Sequence, residues 1–168
     1  AKQIETLRVA FVPSREPQEI ITATEPLKQL LKDELAKEGY EVGEVEITVG
    51  TTYENLMTAI AGETGATTKY EAFSKVAKNE GFDVLARLFQ CTADAEKIHI
   101  GLEYALVAEV EPDFEKPAAP EAEGVQTDLN LIMGAQGEIF ETSDMYPAFI
   151  KKAQEEGNTK AVQVFTRA

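Results

Sequence analysis

The chain has 168 residues, 43% apolar and 27% charged, which suits one ordinary folded domain or a small domain with an appendage. Its net charge of −14 repels phosphate backbones, arguing against a nucleic-acid partner, and is compatible with cations. No apolar run is long enough to span a membrane and no charged-then-apolar leader is visible, and the missing initial Met before Ala1 reads as processing, excision or engineering.

Residues 1–50 read as β-α-β. "LRVAFVP" (7–13) is a strand-like apolar run, and "TATEPLKQLLKDELAKEGY" (22–40) sets Leu27, Leu30, Leu31 and Leu35 at helical spacing. Thr22 and Glu25 stand at capping-box spacing, and Gly39 suits the helix end. "EVEITVG" (44–50) alternates Val45, Ile47 and Val49 with polar neighbours, as a strand with one buried face does. Two short strands and one helix are marginal alone and need a partner surface. From residue 51 the strand signals stop. A long helix is expected over 51–81, closed by Gly81, and a second over about 83–109. An acidic, semi-rigid linker rich in Pro, Ala and Glu follows at 111–124. A third helix starts near Thr127 and a fourth pattern after Gly157. The expected fold is mainly α, a partial helical bundle over 51–168 with a βαβ appendage at 1–50, α+β overall.

The helical part contains a repeat. "TYENLMTAIAGE" (52–63) lies over "TDLNLIMGAQGE" (127–138). After a shift of one residue, "YEAFSKVAKNEG" (70–81) lies over "YPAFIKKAQEEG" (146–157), and "FDVLARLF" (82–89) over "NTKAVQVF" (158–165). Ala168 then corresponds to Thr92, so the counterparts of Glu96 and His99 fall beyond it.

Carboxylates interrupt the apolar stripes. In the first helix Glu63 shares a face with Leu56, Ala59, Ile60, Ala66, Tyr70, Phe73 and Ala77. In the second, Glu96 and His99 follow Leu85, Leu88, Phe89 and Thr92 and precede Leu106; in the third, Glu138 and Glu141 follow Leu131 and Ala135 and precede Met145. A carboxylate inside such a stripe is costly unless paired, protonated or bound to a cation. Four inward carboxylates with one imidazole suit iron or manganese. Tyr70 and Tyr146 read as core or hydrogen-bonding residues, with a catalytic role as the alternative. Cys91, the single cysteine, reads as a small buried residue, excludes an intrachain disulfide and a paired-cysteine metal ribbon, and fits a reducing compartment, so the expected location is the cytoplasm. Glu103, one turn after His99, reads as part of a solvated face, with a position supporting the ligands as the alternative.

"TYENLMTAIAGETGATTKY", "TADAEKIH" and "GEIFETSDMYPAF" resemble rubrerythrin, the ferritin-like di-iron family of peroxide reductases, over about residues 51–168. The resemblance implies a ferritin-like bundle in which Glu63, the Glu96–His99 pair, Glu138 and Glu141 are iron ligands, with Tyr70 and Tyr146 flanking the centre. It implies peroxide reduction fed by an external electron donor, because the family's four-cysteine rubredoxin module is absent from this sequence. The fourth-helix Glu and His of the family have no counterpart here. A homodimer, bringing two copies of Glu63 and of Glu96 with His99, is expected to complete the site. Residues 1–54 are similar to the start of phosphonate-type substrate-binding proteins of ABC transporters, where Ser14 and Thr22 would line an anion site. The two resemblances meet at "GTTYE" (50–54), as in a recombined or computationally generated sequence. The competing readings are a non-catalytic helical scaffold and an anion-binding module.

Overall fold

The structure, a computed structural model, describes residues 2–11 and 25–168. Ser14 and Thr22 lie outside these, as do residues 12 and 13 of the expected first strand. The chain forms two compact units, Ala1–Thr51 and Thr52–Ala168.

In the first unit β1 (Lys2–Phe11) pairs in parallel with β2 (Tyr40–Val49), with Lys2 opposite Tyr40 and Leu7 opposite Val45. Both strands begin earlier than their apolar patterns, since backbone pairing runs on through exposed polar residues; Gln3 Nε2 donates to Glu41 Oε2 at 2.9 Å. Between them lies α1 (Glu25–Lys37), and Gly39, at φ 82°, takes the left-handed conformation that ends it. Val45 is buried, as the alternation expects. A Cβ at Gly43 would lie 2.7 Å from the Glu5 carbonyl oxygen, so the two strands could not close there around a larger residue.

The second unit is helical. α2 (Thr52–Asn79) and α3 (Asp83–Val110) form an antiparallel hairpin. Gly81, at φ 85°, closes α2, and the Phe82 N–H donates to the Ala77 carbonyl at 2.8 Å. α4 (Thr127–Phe140), a π turn (Glu141–Met145), α5 (Tyr146–Glu155) and α6 (Thr159–Phe165) make the second repeat. Its hairpin closes the same way: Gly157 sits at φ 69° and the Asn158 N–H donates to the Ala153 carbonyl at 2.8 Å.

The one-residue shift in the repeat is the π turn. The Tyr146 N–H reaches back to the Glu141 carbonyl, five residues away, so this turn holds one residue more than the corresponding turn of α2. The extra residue is absorbed inside the helix, and the Tyr-x-Ala-Phe segment returns to register.

Each repeat carries the same aromatic trio. Tyr70, Phe73 and Phe89 pack with centroids 5.5–6.2 Å apart, and Tyr146, Phe149 and Phe165 with centroids 5.3–6.1 Å apart. Burying each phenylalanine stabilises the fold by roughly 1.5–3 kcal/mol. The inward stripe of α3 differs from the one expected: it is Ala86, Phe89, Ala93, Glu96, Ile100, Glu103 and Val107, while Leu88 is exposed. The small Ala86 faces the core in place of the larger Leu88, which turns the stripe by part of a turn. On α4, Asn130 and Gly134 face inward and Ala135 is exposed. Asn130 tethers the chain entering α4, accepting from the Val125 N–H at 3.0 Å. The expected linker is irregular over 113–126 but not free: the Phe114 carbonyl accepts from the Tyr104 hydroxyl at 3.2 Å, and Lys116 Nζ stands 4.4 Å from that ring's centroid. No helix among the described residues is long and apolar enough to cross a membrane.

Candidate metal centre

Midway along α2, Glu63 is held in the core at 1% exposure. Opposite it on α3 stand Glu96, also buried, and His99, one turn later. His99 Nδ1 lies 3.0 Å from Glu96 Oε2 and 3.5 Å from Glu63 Oε1. Glu138 comes from the end of α4, and Glu141 is the first residue of the π turn; both are half-buried.

These five residues form two overlapping groups, Glu63–Glu96–His99 and Glu96–Glu138–Glu141, each offering ligand atoms within 4.8 Å of one another. Glu96 belongs to both. All five residues expected from the sequence as ligands thus converge within one chain.

Both tyrosines sit at this centre, and they cross between the repeats. Tyr146 donates its hydroxyl to Glu63 Oε1, and Tyr70 donates to Glu138 Oε1 at 2.5 Å. The helix starts cross in the same sense: the Thr52 N–H donates to Glu156 at 3.0 Å and the Thr127 N–H to Glu80 at 3.1 Å. The sequence repeat is therefore an approximate twofold arrangement in space, with the carboxylates near its middle.

Crowding so many acids perturbs their protonation. Burial pushes the Glu96 carboxyl up to about 8, helped by the charges of Glu63 and Glu138 against the His99 hydrogen bond. Burial likewise raises Glu141 to about 7, with the Glu63 and Glu138 charges adding to it. His99 is raised to about 10 by its hydrogen bonds to Glu63 and Glu96. Burial also acts on Glu63, but hydrogen bonds from His99, Glu96 and Tyr146 outweigh it and hold this carboxyl below its ordinary value. Burial and the neighbouring carboxylates raise both tyrosine hydroxyls.

The residues fit a metal. Glu63 Oε2 is buried with no hydrogen-bond partner, and the acids outnumber the single imidazole, so a cation would supply the missing contact and the missing charge. Two sequence expectations are corrected. Glu103 is fully buried and within 3.1 Å of the Tyr146 hydroxyl, not on a solvated face. Its position seven residues after Glu96 in the α3 stripe is the signal that would have found it. Cys91 is exposed, because it faces away from that stripe.

The sequence profile described as Rubrerythrin matches residues 54–168. The chain belongs to the rubrerythrin family. It is 65% identical over 127 residues to nigerythrin of Nitratidesulfovibrio vulgaris, covering 76% of this chain and 63% of that protein. It is 37% identical over 113 residues to Rubrerythrin-1 of Clostridium acetobutylicum, covering 63% of this chain and 56% of that one. Nigerythrin solved in a partially reduced state superposes with a TM-score of 0.70 at 68% identity, over 71% of this chain and 59% of that chain. Nigerythrin in a fully reduced, all-ferrous state gives the same TM-score, identity and coverage. The chain thus spans about 60% of the length of these relatives. The ferritin-like fold expected from the sequence is the rubrerythrin fold seen here. The family match begins at residue 54 and none of these relatives is a substrate-binding protein, so the transporter resemblance of residues 1–54, and with it a recombined or generated origin, gains no support.

Proposed function

We propose that this chain is a non-haem di-iron protein of the rubrerythrin type that reduces peroxide. The observation that carries this reading is the pair of overlapping three-residue groups joined at Glu96, beside a buried Glu63 oxygen that has no partner. Glu63, Glu96 and His99 would hold one ion, and Glu96, Glu138 and Glu141 the other. Iron bound there supplies Lewis acidity and two electrons for cleaving the O–O bond. The mixed carboxylate and imidazole donor set also accepts manganese.

The protein's own part is positioning and exclusion of water. Tyr146 fixes one oxygen of Glu63 and leaves the other free, and Tyr70 fixes one oxygen of Glu138. A cavity of about 30 Å³, lined by Tyr70, Gly134, Gly137 and Glu141, lies beside the second group. That space admits a molecule of about the size of water, the scale of peroxide. The electrons for re-reduction come, in this reading, from a donor other than the residues described, whose one cysteine cannot build a four-cysteine iron site.

Homodimerisation belongs to the same proposal. Ile98 on α3 and Ile139 and Phe140 on α4 are exposed apolar residues near the ligand-bearing turns, surface of the kind that a second helical pair covers. A second chain would bring further Glu63, Glu96 and His99 ligands. A cytoplasmic location is part of the same reading, since a single cysteine fits a reducing compartment.

The test is iron per chain together with oligomeric mass, for wild type and His99→Ala, followed by peroxide consumption with an artificial reductant. Iron in the wild type, reduced in His99→Ala, supports the reading. No iron in either protein would leave the non-catalytic scaffold. A strictly monomeric protein holding two irons per chain would sink the dimer.

A further inference from the structure

Glu103 is a buried acid that the ligand set does not use. It is 0% exposed, its Oε2 has no hydrogen-bond partner, and its Oε1 lies 3.1 Å from the Tyr146 hydroxyl oxygen. That same hydroxyl makes its closer contact with Glu63 Oε1. A phenol has one proton to donate. Once it is given to Glu63, the phenol oxygen can only accept. An ionised Glu103 would then set a carboxylate oxygen against a phenol lone pair, buried, with nothing to compensate. An acid-form Glu103 resolves this, because its own O–H donates to Tyr146.

We propose that Glu103 is a proton-holding positioning residue, whose carboxyl O–H donates to Tyr146 and, through it, supplies protons to Glu63 at the metal centre. The chain is directional: Glu103 O–H to Tyr146 Oη, Tyr146 O–H to Glu63 Oε1. In transfer, the Glu103 proton passes to Tyr146 Oη as the Tyr146 proton passes to Glu63 and from Glu63 to a peroxide oxygen, so the phenol and Glu63 are unchanged and Glu103 is left ionised until solvent returns a proton. Reducing peroxide to two waters takes up two protons along with two electrons, and this relay is a dry route for one of them. The proton-supply role rests on the proposed peroxide reduction; the direction of the hydrogen bonds does not. The groups acting on Glu103 are Glu63 from α2, His99 from its own helix, Glu141 from the π turn and Tyr146 from α5. Burial and the Glu63 charge raise its carboxyl to about 8, consistent with an acid form at neutral pH.

The first experiment uses metal-free protein. Infrared difference spectra at neutral pH compare wild type with Glu103→Gln, whose amide can still donate to Tyr146 and so keeps the fold. The expected result is loss of one protonated-carboxyl C=O band. In Tyr146→Phe that band should persist and move to higher frequency, having lost its acceptor. No carboxyl band lost in Glu103→Gln overturns the proposal. So does a band that Tyr146→Phe does not move.

The second experiment uses iron-loaded protein. Glu103→Gln should keep the wild-type iron content while its kcat for peroxide falls at least about tenfold, with KM little changed and the pH profile displaced. Wild-type kcat and an unmoved pH profile in Glu103→Gln would overturn the supply role. A wild type that binds no iron would sink the proposed function, and the infrared result would still decide where the Glu103 proton lies.

Discussion

Tyr146–Glu63 and Tyr70–Glu138 are equivalent contacts of the two repeats, yet their surroundings differ. Glu63 is 1% exposed and meets both a histidine and a tyrosine, and Glu103 stands behind that tyrosine. Glu138 is half-buried, and its group is completed by Glu141, the first residue of the π turn. One duplicated hairpin has thus become a dry, histidine-bearing side and a wetter, all-carboxylate side. The scaffold stayed symmetric, with matching aromatic trios and matching glycine closures, while the polar residues diverged.

The largest effect should come from the residue common to both sides. Glu96→Ala is expected to remove metal from both groups, whereas His99→Ala should spare the Glu138–Glu141 side. Metal per chain, measured after loading at equal free iron, separates them. Equal residual metal in the two variants would mean that the sides are not joined at Glu96.

Next in size is the scaffold. Phe73→Ala and Phe149→Ala remove equivalent buried rings from the two repeats, at 1% and 0% exposure. Each should cost about 3–5 kcal/mol in urea unfolding. A small loss for one and a large loss for the other would show that the repeats are unequal in packing as well as in chemistry.

Much of this was legible in the sequence. The repeat fixed where helices begin and end, because Gly81 and Gly157 mark the same left-handed closure in both copies. The inward position of the candidate ligands followed because a carboxylate seven residues from apolar neighbours on a helix lies on their face. The π turn showed in the sequence only as a slip of one residue in the alignment, since nothing in its composition marks it. Glu103 was missed because a glutamate next to Tyr104 reads as surface until the α3 stripe is centred on the small residues Ala86 and Ala93. Small residues face inward there because two helices approach closely, a tertiary fact that side-chain hydropathy does not carry.

The metal-free chain should lose stability as pH rises. In the folded state Glu96 and Glu103 hold their protons up to about 8, and Glu141 up to about 7, against 4.5 for an ordinary carboxyl. The folded chain therefore binds protons that the unfolded chain has released, and stability falls between about 4.5 and 8. His99 works in the same direction: its contribution is full below 6.5 and is lost as pH passes about 10. Glu63, lowered below 4.5, opposes them; its contribution is present above that value and lost on acidification. At the centre, three raised acids and one raised imidazole stand against a single lowered acid; Asp83, Asp94 and Glu156, lowered outside it, lose their contribution only on further acidification and leave the sign above mildly acidic pH unchanged. The thermal midpoint of metal-free protein should fall from mildly acidic to mildly alkaline pH, and a divalent metal should raise it most at the alkaline end. A midpoint that rises with pH without metal would contradict the acid-rich centre described here.

The smallest effect probes why the two tyrosine contacts differ. Gly134 is the repeat equivalent of Ala59, so the second copy lacks a methyl group that the first copy buries completely. A Cβ at Gly134 would lie 3.1 Å from Tyr70 Cε1, closer than the ring accepts without moving. The missing methyl is what lets Tyr70 lie flat on α4 and reach Glu138. Alanine there gains about 1 kcal/mol of helix propensity but forces an overpacked contact costing about 1–3 kcal/mol. Gly62 and Gly137, an equivalent pair with nothing within 4 Å of a built Cβ, isolate the propensity gain. Gly62→Ala and Gly137→Ala should each stabilise the protein by about 0.5–1 kcal/mol, and Gly134→Ala should be neutral to destabilising by about 2 kcal/mol. If Gly134→Ala instead stabilised as much as the other two, the ring would have room to spare. The difference between the two sides would then rest on Glu103 and the π turn alone.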